Sequence, residues 1–334
     1  MSQVLLRRAA GAGFPVASTL RLLVANGSTV DLYSYKDPFG TMTFVESFDG
    51  SGSGRCAVWS PNGQYALNGR TASPYASLFK RDGDALVNVQ DLTEPTDAVV
   101  SAAWSEDGNT VYVGAGTVIY KYSRSGDTLT FVSSPGSALA GELQGSTGLS
   151  LSPDGAYLAC AHDLSPFVTV YRTSDWAKLS SPASLPVGRG NGCAWHPSGE
   201  YLAVAHNTSP RITMYSFASE TLTKLSNPAT LPPGHCNGAA WGAAGGYLVL
   251  VGSTSPYWTL YTFSAGTLTN VSTAPFPLGG TGYGVAPLDA KIVCGHTSGN
   301  RFMLFTFDGV TIAAGPDPSL VPSFSGNGVT MVSS

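Results

Sequence analysis

Three histidines occupy one place in a repeated pattern of this 334-residue chain. His162, His206 and His296 each end a short apolar run, just before a turn. Histidine is a common metal ligand and titrates near neutral pH, so three of them on a ring could hold a metal ion or sense pH. The alternative is that each imidazole bonds to its own turn and recurs because the unit recurs. We favour this local role, since repeats arranged around an axis need not bring three imidazoles to one ion.

Other polar and aromatic residues fall at or beside the same turn. Arg70 and Ser253 take the place of the histidine in other repeats, and a Ser-Pro pair followed by an aromatic residue recurs close by. Aromatic side chains beside Ser, Thr and Asn suit contacts with sugars or proteins, although some of them belong in a core. The pattern therefore predicts an interaction face formed by Arg70, Tyr75, His162, Phe167, His206, Arg211, Tyr257, Trp258 and His296.

No set of residues in the sequence suggests catalysis. The 21 Asp and Glu residues fall mostly in predicted turns, and nucleophile-elbow, zinc-protease and phosphate-loop motifs are missing. The five cysteines have no C-x-x-C spacing, so we expect buried thiols and not metal ligands. The sequence thus predicts no catalytic residue, no cofactor and no metal site, and we expect a protein that is not an enzyme.

The elements that position these residues are short strands. The segment 191–215 reads as three strands joined by two turns, and a fourth strand follows at 221–225. Its turn glycine, Gly199, has counterparts at Gly63, Gly108, Gly155 and Gly245, spaced 44 to 47 residues apart. A four-stranded antiparallel unit with this period is typical of a β-propeller blade. We therefore predict an all-β chain of seven such blades.

The two ends of the sequence predict how the ring closes. The pattern begins in mid-blade near residue 18, without a first strand, whereas SGNGVTMVSS at 325–334 resembles RGNGCAWHPS at 189–198. We expect the C-terminal strand to complete the N-terminal blade, which removes open sheet edges. The predicted organisation is an arm at 1–17 and a propeller at 18–334, whose first blade combines 18–54 with 323–334. The arm is either disordered or docks on a neighbouring subunit.

The composition excludes some functions. The formal net charge is −4 and only 11% of the residues are charged, against about 25% in an average domain. Nucleic-acid binding needs clustered Lys and Arg, so we do not expect it. No apolar run reaches the ~20 residues that cross a membrane. No signal peptide is recognisable at the start, and free thiols suggest folding in a reducing cytoplasm.

Three segments carry a resemblance to a known group: LAVAHNTSPRITMYSF, LACAHDLSPFVTVYRT and LTKLSNPATLPPGHCNGAAW. They resemble WD-like propellers of tailed-phage and prophage structural proteins, over about residues 18–334. The Gly-His and Trp-Asp dipeptides usual in WD repeats are missing. The resemblance implies a non-enzymatic virion component in the tail, baseplate, fibre or head decoration, made in the host cytoplasm.

Such a protein would bind other virion proteins or copies of itself. One alternative is a carbohydrate-binding module that attaches to a glycan of the host surface. The remaining alternative, which we favour least, is a lactonase-like propeller enzyme. We expect any binding to map to the face that carries the second-to-third-strand turns and the blade-to-blade connectors, called the connector face below. Loops on a rigid scaffold are where recognition usually occurs.

Overall fold

The described part of the chain contains 27 β-strands. The computed structural model describes residues 19–26, 29–36, 42–49, 52–136, 139, 141–143, 147–271, 278–288, 291–297, 302–315 and 326–333. Blade 1 begins with β1 (Thr19–Asn26), β2 (Thr29–Lys36) and β3 (Met42–Asp49). Blade 2 contains β4 (Gly54–Trp59), β5 (Tyr65–Arg70), β6 (Ala76–Asp82) and β7 (Ala85–Asp91). Blade 3 contains β8 (Val99–Trp104), β9 (Thr110–Ala115), β10 (Val118–Ser125) and β11 (Thr128–Ser133).

The later blades follow the same order. Blade 4 contains β12 (Leu149–Leu151), β13 (Tyr157–Ala161) and β14 (Val168–Arg172). Blade 5 contains β15 (Gly190–Trp195), β16 (Tyr201–His206), β17 (Ile212–Ala218) and β18 (Thr221–Lys224). Blade 6 contains β19 (Cys236–Trp241), β20 (Tyr247–Gly252), β21 (Trp258–Ser264) and β22 (Thr267–Asn270). Blade 7 contains β23 (Gly282–Leu288), β24 (Lys291–His296), β25 (Phe302–Phe307) and β26 (Ile312–Ala314).

The last strand closes the ring. β27 (Gly326–Ser333) pairs antiparallel with β1, in a register that runs from Leu20 opposite Ser333 to Asn26 opposite Gly326. The sheet order in blade 1 is β27-β1-β2-β3. The predicted seven-bladed propeller of antiparallel blades, closed by the C-terminal strand, is therefore confirmed. The predicted arm at 1–17 lies outside the described residues.

Blade 4 has a shorter outer edge than the other blades. Its sheet has three strands, and a single bridge between Tyr171 and Lys178 stands where a fourth strand would pair. The backbone N–H of Leu179 also donates to the carbonyl of Val170, at 2.9 Å. The outer position is thus occupied by a short extended segment.

Glycine closes the turn between the first and second strands of five blades. Gly199 has φ = 77° and Gly245 has φ = 74°, values that side-chain-bearing residues rarely adopt. The backbone N–H of Gly199 donates to the carbonyl of His196 at 2.8 Å, which closes the turn. The predicted turn role of the repeated glycines is confirmed.

The hydrophobic core lies between neighbouring blades. A buried tryptophan ends several inner strands, and Trp195 packs edge-on against Phe217 with ring centroids 4.9 Å apart. One buried cluster joins Ala203 and Met214 of blade 5 to Leu250 of blade 6. Because each blade covers the apolar face of the next, a single blade could not bury its own surface.

All five cysteines are buried and free, as the sequence predicts. They are Cys56, Cys160, Cys193, Cys236 and Cys294. Cys236 is the first residue of β19. Within the described part of the chain, no helix is long and apolar enough to cross a membrane.

Candidate functional site: the channel mouth

The inner strands share a β-bulge near their starts. In β4, Gly54 pairs with Arg70 and Cys56 pairs with Gly69, so Arg55 has no opposite residue. The same one-residue shift occurs in blades 1, 3, 5, 6 and 7. The bulged residues are Arg55, Val100, Asn191, Asn237, Tyr283 and Asn327. Bulges often change the direction of side chains beside active sites. The bulges of this chain lie where the inner strands begin, at the mouth of the channel on the connector face.

Two asparagines in the ring tie one blade to the next. Asn191 Nδ2 donates to the carbonyl oxygen of Cys236 at 2.8 Å, and Asn237 Nδ2 donates to that of Gly282 at 2.8 Å. Arg189 Nε donates to Asn191 Oδ1 at 3.1 Å. These bonds fix the starts of β15, β19 and β23 relative to each other. The repeated Asn-Gly pairs of blades 5 and 6 therefore have a structural role.

The glycines after these asparagines let the inner strands approach closely. A Cβ on Gly192 would lie 2.0 Å from Thr147 Oγ1. A Cβ on Gly238 would lie 3.1 Å from the carbonyl oxygen of Tyr283 and 3.2 Å from Thr147 Oγ1. The strands therefore crowd together at this depth, as expected where they line the channel.

Groups able to do chemistry remain accessible at the mouth. The side chains of Arg55 and His235 are exposed, and Tyr283 exposes 37% of its surface. His235 directly precedes Cys236, whose carbonyl receives the Asn191 amide. The sequence analysis did not single out these three residues, because it compared the repeats at their turns and not at the starts of the inner strands. Aligning the bulged position across repeats would have revealed an arginine and a tyrosine among the asparagines.

The donor set does not resemble a metal centre. The described inner-strand residues include no Asp, Glu or His. Among all described residues, no three His, Cys, Asp or Glu side chains group closely enough to hold an ion. Neutral amides, a guanidinium, a phenol and the single imidazole of His235 are among the polar groups at the described mouth.

The predicted histidines lie inside their blades. His162 Nε2 is 2.9 Å from Thr169 Oγ1, and His206 Nε2 is 3.0 Å from Thr213 Oγ1. Each threonine lies on the strand that follows, seven residues on, so each imidazole contacts a hydroxyl across the strand pair. Burial lowers the pKa of both imidazoles, in His206 to about 4. These histidines therefore act as neutral hydrogen-bonding groups of the blade.

Blade 2 uses a charged version of the same contact. Arg70 donates to Ser77, which in turn donates to the carboxylate of Asp91. The hydrogen bond from Ser77 lowers the pKa of Asp91, and the Arg70 charge lowers it by a smaller amount. In blade 6 the equivalent position is Gly252, because Gly252 pairs with Cys236 as Arg70 pairs with Gly54. The assignment of Ser253 to this position was wrong by one residue.

Five of the nine residues of the predicted interaction face are buried. They are Arg70, His162, His206, Trp258 and His296. Trp258 stacks on Phe305 with ring centroids 4.5 Å apart, which makes it a core residue.

Tyr75, Phe167, Arg211 and Tyr257 stay partly accessible, and the last three share φ values of 68° to 69° in the left-handed region. Arg211 Nη1 also donates to the carbonyl oxygen of Pro232 at 3.1 Å, which joins blade 5 to the next connector. Binding of a partner at this face stays a prediction.

Solved structures share this fold along its whole length. A candidate 6-phosphogluconolactonase from Bacteroides fragilis has a TM-score of 0.75 at 12% identity, with 96% of this chain and 100% of that chain covered. The periplasmic gluconolactonase of Pseudomonas aeruginosa has a TM-score of 0.69 at 16% identity, with 94% and 99% covered. A protein from Lactobacillus plantarum has a TM-score of 0.73 at 17% identity, with 94% and 99% covered. No protein-family model and no curated protein matches the sequence.

These similarities correct the functional prediction. The expectation of a non-enzymatic phage virion protein is contradicted, because propellers named as lactonases match this chain from end to end. The attribution to WD-like phage propellers is likewise not supported beyond the seven-bladed architecture. At 12 to 17% identity the similarity itself establishes the fold.

Proposed function

We propose that this chain is a hydrolase of the lactonase type that opens a sugar lactone at the channel mouth on the connector face. The observation that carries the proposal is the end-to-end similarity to propellers named as gluconolactonase and 6-phosphogluconolactonase. The matches cover 94 to 96% of this chain and 99 to 100% of the two neighbours, so the seven-bladed ring is shared. The catalytic site still has to be argued from this chain's own residues, because a fold alone does not specify a reaction.

The reaction needs two kinds of group. Water adds to the lactone carbonyl carbon, negative charge collects on the carbonyl oxygen, and the ring C–O bond then breaks to give a carboxylic acid and a hydroxyl. Arg55 can stabilise the charged oxygen, because its guanidinium presents several N–H donors. His235 can take the proton from the attacking water and return it to the leaving ring oxygen.

The bulges of the inner strands explain how these groups could act on a substrate at the channel mouth. The bulge removes Arg55 from the sheet ladder, which leaves its side chain free to face a ligand. The Asn191 and Asn237 amides hold the neighbouring strands in fixed positions, and such preorganisation lowers the cost of stabilising charge. We derive no step through a metal, since the described inner strands supply none of the carboxylate or imidazole ligands it would need.

The test is lactone consumption by the purified protein in weakly acidic buffer, where spontaneous hydrolysis is slow. Glucono-1,5-lactone and its 6-phosphate are the substrates, and acid release is followed with a pH indicator. Arg55→Ala should lower kcat about 100-fold, as expected for loss of a donor to the charged oxygen. Lys224→Ala removes a cation from the outer strand β18 and should leave the rate unchanged. A wild-type rate equal to that of buffer for both lactones would reject the proposal.

A further inference from the structure

Tyr283 is an aromatic side chain placed where its neighbours carry amides. It fills the bulged position of blade 7, whereas blades 5 and 6 have Asn191 and Asn237 there. Tyr283 is 37% exposed at the mouth, although an aromatic side chain normally gains stability by burial. Neither the fold nor the proposed chemistry of Arg55 and His235 accounts for this exposure.

The backbone that carries Tyr283 is held firmly. Asn237 Nδ2 donates to the carbonyl oxygen of Gly282 at 2.8 Å. A Cβ on Gly282 would lie 2.8 Å from Val251 Cβ and 3.0 Å from the carbonyl oxygen of Tyr257, so this backbone packs directly on blade 6. The backbone at Tyr283 is therefore rigid, which limits the conformational entropy that the protein loses when a ligand packs against the ring.

The bond to Gly282 also brings an amide to the backbone next to Tyr283. Asn237 is half-buried, and its Nδ2 is engaged with the residue directly before Tyr283. In blade 5 the corresponding Asn191 Oδ1 receives the Arg189 guanidinium, but in blade 6 the residue aligned with Arg189 is His235, and no described residue donates to Asn237 Oδ1. An aromatic side chain and an amide acceptor on adjacent inner strands suit a sugar ring, which has an apolar C–H face and hydroxyl groups around its rim.

We propose that Tyr283 binds the sugar ring of the lactone by stacking on its C–H face, while Asn237 Oδ1 accepts a hydrogen bond from a ring hydroxyl. This inference rests on the proposed function, because it concerns the same mouth and the same substrate. Tyr283 acts as a specificity residue: it contacts the ring in the ground state and the transition state alike. Its removal therefore weakens binding and leaves the chemical step almost unchanged.

The experiment measures binding and turnover separately. Glucono-1,5-lactam, a stable six-membered analogue of the lactone, is titrated into wild type, Tyr283→Phe and Tyr283→Ala by isothermal calorimetry. We expect Tyr283→Ala to weaken lactam affinity about tenfold and to raise KM for the lactone by a similar factor, with kcat within about threefold of wild type. Tyr283→Phe should stay close to wild type, because the ring is kept.

Phe131→Ala is the matched control. Phe131 lies in β11 of blade 3 and exposes 39% of its surface, so it is an equally accessible aromatic away from the mouth. Its loss should not change lactam affinity.

The outcomes separate the two proposals. Lactam binding that depends on Tyr283 in a protein without lactone turnover would support the stacking contact and reject the hydrolase. Turnover with unchanged KM and lactam affinity in Tyr283→Ala would reject the stacking contact and keep the hydrolase. A wild-type protein that does not bind the lactam would overturn the inference.

Discussion

The Asn191 side chain donates a 2.8 Å hydrogen bond to the carbonyl of Cys236, the first residue of the neighbouring inner strand. Asn191 is only 4% exposed, so water cannot readily replace it at that carbonyl. We expect Asn191→Ala to lower the free energy of unfolding by about 1 to 3 kcal/mol, the usual cost of leaving a buried polar group unpaired. Urea denaturation of both proteins would measure it, and equal midpoints would contradict the inter-blade role.

The adjacent glycines of the blade 6 turn provide a second test. Gly245 has φ = 74°, and a Cβ there would lie 2.2 Å from His196 Nε2. Gly246 has nothing within 4 Å of its would-be Cβ and no positive φ. We expect Gly245→Ala to cost about 1 to 3 kcal/mol and Gly246→Ala to be close to neutral. Thermal unfolding measures the melting temperatures of the two variants. Equal melting temperatures would show that this turn does not need glycine.

The stability of the protein should fall in mild acid because of His206. Burial lowers the His206 pKa to about 4 from its usual 6.5, so the unfolded chain binds this proton more readily than the folded chain. The stabilising contribution of the neutral imidazole is complete above pH ~6.5 and is lost as the pH falls toward 4. The expected loss between pH 7 and pH 5 is about 2 kcal/mol.

Comparison with His206→Gln isolates this contribution. Other titrating groups, including the buried His162, are present in both proteins and cancel in the difference. Urea midpoints at the two pH values should therefore differ less in the variant than in wild type. The same pH dependence in both would show that His206 is not the group responsible.

The five buried thiols should not react in the folded protein. Burial raises the pKa of Cys56, Cys193 and Cys236 to about 12, and only a thiolate reacts readily. We expect an aromatic disulfide reagent to label none of the five cysteines in buffer and all of them in denaturant. Ser264→Cys adds a thiol at an exposed position in blade 6 and provides the control for reagent activity. Rapid native labelling of Cys160 or Cys294 would contradict their burial.

The repeat pattern was sufficient to predict the architecture. Turn glycines such as Gly155 and Gly199 recur at a regular spacing, which predicted the blades. The similarity between the segments that contain Gly192 and Gly328 predicted which strand closes the ring. Both signals are local chain properties: a turn that needs positive φ, and a strand edge that needs a partner.

The site was harder to predict, because side-chain direction depends on register. His206 ends an apolar run, and only the pairing of β16 with β17 shows that its ring reaches Thr213 inside the blade. Arg55 and Tyr283 stand out only once the bulges are known, since one extra residue turns a side chain out of the ladder. At 12 to 16% identity the lactonase-named propellers share too few residues with this chain for a sequence motif to reveal the similarity.

The pairing of β27 with β1 also determines when this protein can finish folding. The inner edge of β1, which ends at Asn26, has no partner until Gly326 and the residues after it have been synthesised. At about 5 to 20 residues per second, the ribosome adds the intervening segment in roughly 15 to 60 s. During that time blades 2 to 7 can stack on one another in order, while blade 1 waits as an incomplete sheet. β1 thus leaves the ribosome before the strands of blades 2 to 7, yet it is among the last of the described strands to be paired on both edges.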